Sequence, residues 1–312
     1  MGIFLNSTAP FEAYKITALD KYFVDKTMLI EELIPSIGRE QRFLCITRPR
    51  RFGKTVMANM VASYFGKAID SSFIFEHLAI AKSPVYEEYI NKYDIIYIDF
   101  SRLPENCQTY EEYINRIKTG IKEDLFEEFP ELELKEEMSL WDILAKIFQK
   151  TNRKFMFIMD EWDAVFHMPF ISQKERQEYL LFLKNLLKDQ VYVELAYMTG
   201  ILPIAKYSAA SELNMFVEYN MATRERFSSY FGFSEEEVDK LFQIYSETTI
   251  RPRITRHDLK IWYDGYCTAS GEQLYNPRSI ICALSDNQLG SYWTGSGPYD
   301  EIFYYIKGNI DE

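Results

Sequence analysis

Short, almost unbroken apolar runs alternate along this chain with longer stretches in which apolar residues return every three or four positions. The short runs, residues 42–47, 94–100, 155–159 and 191–198, predict strands, with 215–219 a weaker fifth. Continuous apolar runs suit strands covered by helices on both faces, so the pattern predicts an α/β domain with a mainly parallel sheet. The helices announce their starts. Ser139, Ser172, Ser234 and Thr255 each stand three residues before an acid (Asp142, Glu175, Glu237 and Asp258), the box that satisfies orphan N–H groups at a helix N-terminus. After Ser172, the residues Tyr179, Leu180, Leu183, Leu186 and Leu187 keep helical period.

Residues 105–137 are acidic and predict helices with a solvated outer face, the alternative being an acidic binding tail. From about residue 227 the strand-like runs stop and helix signals take over, through 233–247 and 255–263. We therefore place the boundaries at 1–225 for a nucleotide-binding domain and 226–312 for a helical lid or accessory subdomain. A Gly/Pro/Ser/Thr-rich stretch from Gly290 to Pro298 precedes a last helical run at 299–307. There is no internal repeat and no low-complexity tract.

Composition narrows the partners. The 312 residues carry 35 Lys+Arg against 47 Asp+Glu, a net charge of −12, so the bulk surface repels phosphate and non-specific nucleic-acid binding is disfavoured. The first residues lack the basic and apolar regions of a signal peptide, and Ser7 falls one place late for the hydroxyl of a myristoylation site. No apolar run approaches the roughly 20 residues of a membrane helix. Cys45, Cys107, Cys267 and Cys282 are far apart, as are the three histidines, which argues against a zinc site or a disulfide scaffold and for a reducing cytoplasm.

Candidate chemistry begins at Thr47-Arg48-Pro49-Arg50-Arg51-Phe52-Gly53-Lys54-Thr55, between the first strand and a helix in which Val56, Met57, Met60, Val61, Tyr64 and Phe65 keep period and Gly66 closes the end. Strand, Gly-Lys-Thr turn and helix form the setting of a phosphate loop. A helix N-terminus offers N–H groups and a positive dipole end to an anion. Candidate nucleotide contacts are Arg50, Arg51, Phe52, Gly53, Lys54, Thr55 and Val56, with Lys54 reaching the β/γ-phosphates and the Thr55 hydroxyl on Mg²⁺. The first glycine of the usual G-x-x-x-x-G-K-[ST] pattern is replaced by Arg48, and Pro49 biases that residue toward extended backbone. The plain alternative is a solvated basic patch of Arg48, Arg50, Arg51 and Lys54.

The third strand run ends in Asp160-Glu161-Trp162-Asp163, carboxylates at the strand end where open α/β sheets bind ligands. Asp160 is the candidate Mg²⁺ ligand and Glu161 the candidate base for the attacking water. The alternative makes Asp160 and Asp163 ordinary capping acids. The strand at 94–100, between loop and acids, fits P-loop NTPases with an additional strand and a catalytic glutamate. The next strand ends in Met198-Thr199-Gly200, making Thr199 a catalytic candidate or a strand-end turn residue.

These motifs together resemble the predicted AAA-ATPase-like family of bacterial proteins, related to the archaeal ATPases and the STAND group. The family loop reads R-P-R-R-F-G-K-[ST], so Arg48 in place of glycine is the family's own variant. Further matches are residues 22–27 (including Asp25-Lys26-Thr27), 160–163, 198–204, 231–238, 262–266 and 275–279. The resemblance implies ATP binding and Mg²⁺-dependent hydrolysis, with Lys54, Thr55, Asp160 and Glu161 in the standard roles and Asp25–Thr27 near the base or phosphates. Relatives often continue into a PD-(D/E)xK nuclease-like domain. This chain stops soon after the 275–279 motif, so no nuclease activity is expected of it, and it reads as a fragment or a naturally short form.

Two functions of different class follow. One is an ATPase coupling nucleotide state to movement of the helical subdomain; the other is a nucleotide-dependent interaction module with little hydrolysis, through a protein partner or self-association. Glu161 favours the first. The lack of a distinguishable transition-state arginine among Arg224, Arg226, Arg251, Arg253 and Arg256 favours the second. A small-molecule kinase would need an acceptor pocket that the sequence does not display.

Overall fold

In a computed structural model, which describes residues 2–207 and 211–292, the chain forms an α/β domain on a five-stranded parallel sheet. Strands β1 (Phe43–Thr47), β2 (Asp94–Asp99), β3 (Phe155–Asp160), β4 (Val193–Gly200) and β5 (Val217–Tyr219) lie in the order β2-β3-β4-β1-β5. All five predicted strands are present, each within two residues of the expected ends. The strand that the chain inserts between loop and acids, β2, lies at the sheet edge. It is β4 that separates β1 from β3 in space.

Period-two alternation assigns each strand residue to a layer. Leu44, Ile46, Ile95, Met156, Ile158, Leu195 and Tyr197 pack with helices α1 (Ala9–Ala18) and α2 (Lys54–Phe65) on one face. Cys45, Ile96, Ile98, Phe157, Met159 and Met198 pack on the other face with α3 (Tyr110–Glu128), α4 (Leu140–Thr151) and α5 (Gln173–Leu187). The same alternation carries Asp99, Asp160 and Thr199, at the strand ends, onto the α2 face.

The capping signals act as expected at Ser172, Ser234 and Thr255, where both halves of the box are formed, and Ser139 accepts from Asp142 N–H. A further box, Thr109 with Glu112, starts α3. The open edge of β2 is covered by the N-terminal segment, whose Leu5 bridges Ile96 in antiparallel sense. Asp124 on α3 holds that segment by accepting from the N–H groups of Ile3, Phe4 and Leu5 at 2.7–3.1 Å.

After residue 225 come helices α6 (Glu235–Thr248), α7 (Arg256–Tyr263) and α8 (Pro277–Asp286). Phe233, Val238, Leu241, Tyr245, Leu259, Tyr263 and Ile280 form a separate apolar cluster there, joined by Tyr22. The sequence predicts helices alone in this part. The structure adds an antiparallel ribbon, β6 (Asp264–Cys267) with β7 (Gln273–Tyr275), too short and too polar to register as strand runs. The expected last helix at 299–307 lies outside the described residues. Among the described residues no helix is long and apolar enough to cross a membrane.

Candidate nucleotide site

The loop leaves β1 still paired, Arg48 N–H donating to Gly200 O at 3.1 Å. It then curls through Arg51 and Gly53, both in the left-handed region at φ +66° and +86°. A Cβ on Gly53 would meet nothing within 4 Å, so the dihedral, not space, calls for glycine here. Helix α2 has no side-chain cap, and its first ladder bond is Met57 N–H to Gly53 O at 2.9 Å. The N–H groups of Lys54, Thr55 and Val56 thus precede the ladder, the arrangement that attracts an anion. Lys54 is buried, and its ammonium donates to Arg48 O and Pro49 O at 3.0 and 3.1 Å.

Arg48 and Lys54 are not parts of a solvated patch. The Arg48 side chain is fully buried. Its guanidinium donates to Thr47 O at 2.7 Å, Tyr219 O at 2.9 Å and Ser228 Oγ at 3.3 Å, and stacks over Phe231. A buried charge is tolerable only when hydrogen-bonded, and this one straps the start of the loop to β5 and to residues 228–231. For Arg48 the alternative of a solvated basic patch is therefore set aside: the residue is a strut.

The acids meet the loop at one rim of the sheet. Asp160 is buried and accepts a hydrogen bond from the Thr199 hydroxyl, with the Thr55 hydroxyl close enough to act on its pKa. Burial raises its pKa above the ordinary carboxylate value; the two hydroxyls and the Lys54 charge oppose that, and Asp99 adds to it. Glu161, half-buried and left-handed at φ +50°, is also pushed up, by burial first, then by the Asp160 charge, with Lys54 opposing. Its N–H reaches Thr199 Oγ1 at 3.4 Å. Lysine, threonines and acid pair thus lie within electrostatic reach of one another. Asp163 does not cap its own helix: Oδ2 accepts from the N–H groups of Ile201 and Leu202 at 3.0 Å each, tying the acidic turn to the exit of β4.

Asp99 was not legible as a site residue. It stands opposite Asp160 in the β2–β3 register, its oxygens taken by Ser101 and Arg102. A carboxylate ending a strand run was the available signal. Asp25 binds Thr27 and Ala79 N–H, and Lys26 reaches Ser229 O at 2.6 Å and Glu237 at 2.5 Å.

The donors present suit Mg²⁺, since Thr55 and Asp160 offer hard oxygens. Among the described residues no cluster of three His, Cys, Asp or Glu could hold a metal alone, so phosphate and water oxygens would complete the shell.

The family described as Predicted AAA-ATPase, AAA-ATPase-like, matches residues 11–210. The chain belongs to that family. It is 23% identical over 287 residues to the uncharacterized protein in the vnfD 5′ region of Azotobacter chroococcum, covering 89% of this chain and 51% of that one. The chain thus spans about half the length of this curated relative. Among solved structures it is similar to the Aeropyrum pernix ORC2 protein in its ADPNP-ADP complexes, at 11% identity and a TM-score of 0.37, covering 96% of this chain and 66% of that one. It is also similar to the A. pernix ORC1 protein in complex with DNA, at 12% identity and a TM-score of 0.42, covering 90% and 63%. For this AAA-ATPase-like chain, the α/β architecture rests on the strand order and register given above.

Proposed function

We propose that this chain is a cytoplasmic, Mg²⁺-dependent ATPase that couples nucleotide state to movement of residues 226–312 relative to the domain formed by 1–225. The observation that supports it best is the meeting of Thr55, Asp160 and Thr199 beside Lys54 and Glu161, with Thr199 hydrogen-bonded to Asp160.

The roles follow from position. Lys54 and the N–H groups that open α2 bind the phosphates, with Arg50, Arg51, Phe52, Gly53 and Val56 completing the cradle. Thr55 and Asp160 hold Mg²⁺, which when bound neutralises phosphate charge. Glu161 takes the proton of the attacking water, and burial with the Asp160 charge raises its pKa above the ordinary carboxylate value. Thr199 orients Asp160 and the γ-phosphate side of the site.

A second reading, a switch that binds ATP and barely hydrolyses it, is favoured by one observation. Arg226 pairs with Glu32, and Arg256 with Glu235 and Asp239, so two of the candidate arginines are engaged in ion pairs. Turnover would then await an arginine from a protein partner or a second copy. The net charge of −12 speaks against nucleic acid as the main partner.

Titration of the chain with ATP and GTP, with and without Mg²⁺, against Lys54→Ala tests the nucleotide reading. It fails if the wild type does not bind or if Lys54→Ala binds equally well.

A further inference from the structure

The three residues before Gly53 are bulky, and each is held by a part of the chain more than 170 positions away. Asn276 Nδ2 donates to Arg50 O at 3.2 Å, and the Arg51 guanidinium donates to Tyr292 O. Phe52 O accepts from Gly232 N–H at 3.4 Å. The Phe52 ring is 1% exposed, whereas a loop-tip residue aimed at a soluble ligand would face water. It sits instead in a small apolar cluster with Met221, Leu274 and Tyr266, edge-on to the Tyr266 ring at 4.6 Å between centroids and 73° between planes.

The socket is a built one. Tyr266 and Leu274 are cross-strand partners on the β6–β7 ribbon, so the ribbon's pairing sets both walls together. Ala269 N–H, in the ribbon's turn, donates to Met221 O at 3.0 Å and brings in the third wall. Gly232, at φ +82°, supplies the floor. A Cβ there would stand 3.0 and 3.2 Å from two Phe52 ring atoms, so a side chain at 232 would press on the ring and shift it by a few tenths of an ångström. Asn276 in turn caps α8 through Ser279 N–H at 3.2 Å, which links the Arg50 contact to a helix of the C-terminal part.

We propose that Phe52 is a positioning residue: its ring, locked in the Met221–Gly232–Tyr266–Leu274 socket, sets the loop for a nucleoside triphosphate and links that binding to the packing of the C-terminal part. The inference rests on the nucleotide reading of the loop. Phe52 stands between the two left-handed residues Arg51 and Gly53 and two positions before Lys54. Releasing the ring frees the turn that aims the lysine. Linkage makes the effect reciprocal: if a seated ring favours phosphate binding, bound nucleotide favours the seated ring by the same factor.

The test uses Tyr266→Ala, which opens the socket without touching the loop, together with Phe52→Ala, Phe52→Leu and the Phe52→Ala/Tyr266→Ala pair. For each, the ATP dissociation constant with Mg²⁺ is measured alongside ATP-dependent protection of residues 227–292 from limited proteolysis. Tyr266→Ala and Phe52→Ala should each weaken ATP binding by about tenfold and lose most of the protection. The double variant should be no worse than either single one, and Phe52→Leu, which refills the socket, should recover affinity. A residue that only stabilises the fold would lower the melting temperature without changing the fold-protection that ATP gives. The proposal is overturned if Tyr266→Ala and Phe52→Ala bind ATP and gain protection as the wild type does, or if the two alanine losses multiply. Should the wild type and Lys54→Ala alike fail to bind ATP, the nucleotide reading itself is what fails, and this inference with it.

Discussion

The Thr199 hydroxyl donates to the Asp160 carboxylate across neighbouring strands, joining residues 39 positions apart in the chain. Both are buried, and the same threonine oxygen lies 3.4 Å from Glu161 N–H. Thr199→Val keeps the shape and the strand preference but removes the donor. A hydrogen bond to a charged group is worth about 1.5–3 kcal/mol, so turnover should fall by about 10- to 100-fold. ATP affinity should stay near that of the wild type, because Lys54 and the loop are untouched. A Thr199→Val enzyme with unchanged turnover would remove this residue from the site.

Glu161 offers a sharper separation of binding from chemistry. Glu161→Gln keeps the size and the left-handed turn but cannot take a proton, so the rate should drop by about 10²- to 10⁴-fold with ATP still bound. Burial and the Asp160 charge raise the Glu161 pKa above the ordinary 4.5. The acidic limb of the wild-type rate profile should therefore lie above that value and be absent from the residual activity of Glu161→Gln. Equal, near-zero rates for both proteins, with intact binding, would leave the switch as the better reading.

The five strands were legible because each is an apolar run that both layers of helices bury, and sheet burial is written locally in the residues themselves. The loop and the acid pair were legible for the same reason: each follows directly from the end of such a run. What escaped depends on distant partners. Arg48 reads as one charge among four in a basic turn, and only Tyr219 and Ser228, more than 170 positions later, convert it into a buried strut. Asp99 becomes notable only when the β2–β3 register sets it opposite Asp160. The β6–β7 ribbon has three or four residues per strand, several of them exposed, and so carries no alternation to detect.

Lys54 carries one role within the loop and another in the proposed function. Its ammonium closes the loop on the carbonyls of Arg48 and Pro49, and in the proposed function it supplies the charge for phosphate. Lys54→Met keeps the apolar stem in a buried site and removes only the charge and donors, so the fold should survive with a melting temperature close to that of the wild type. ATP affinity should fall by about 100-fold, the loss of about 2.7 kcal/mol expected when a charge-assisted phosphate contact disappears. Binding within a few-fold of wild type would show that the lysine does not meet the ligand.

Asp160 provides the last test, because chemistry and stability should move in opposite directions there. Its pKa lies above the ordinary 3.8, chiefly through burial, despite the hydroxyls of Thr55 and Thr199 and the charge of Lys54; Asp99 pushes it further up, and Tyr97, Tyr197 and Glu161 also lie within electrostatic reach. Between 3.8 and the raised value the folded chain binds more protons than the unfolded one, so stability falls as pH rises through that window. Above the raised value the whole penalty is present. Asp160→Asn removes the charge while its amide oxygen still accepts from Thr199, so without nucleotide the variant should melt higher at pH 7, by about 2–4 °C for each kcal/mol recovered. The gain should shrink as the pH is lowered toward 3.8 and vanish below it. ATP turnover should be lost throughout, the exchange of stability for function expected of a buried carboxylate in the proposed metal-binding role. Melting curves of both proteins between pH 3 and pH 8 decide the matter, and a variant that melts lower at pH 7 would show that the native site stabilises the charged carboxylate after all.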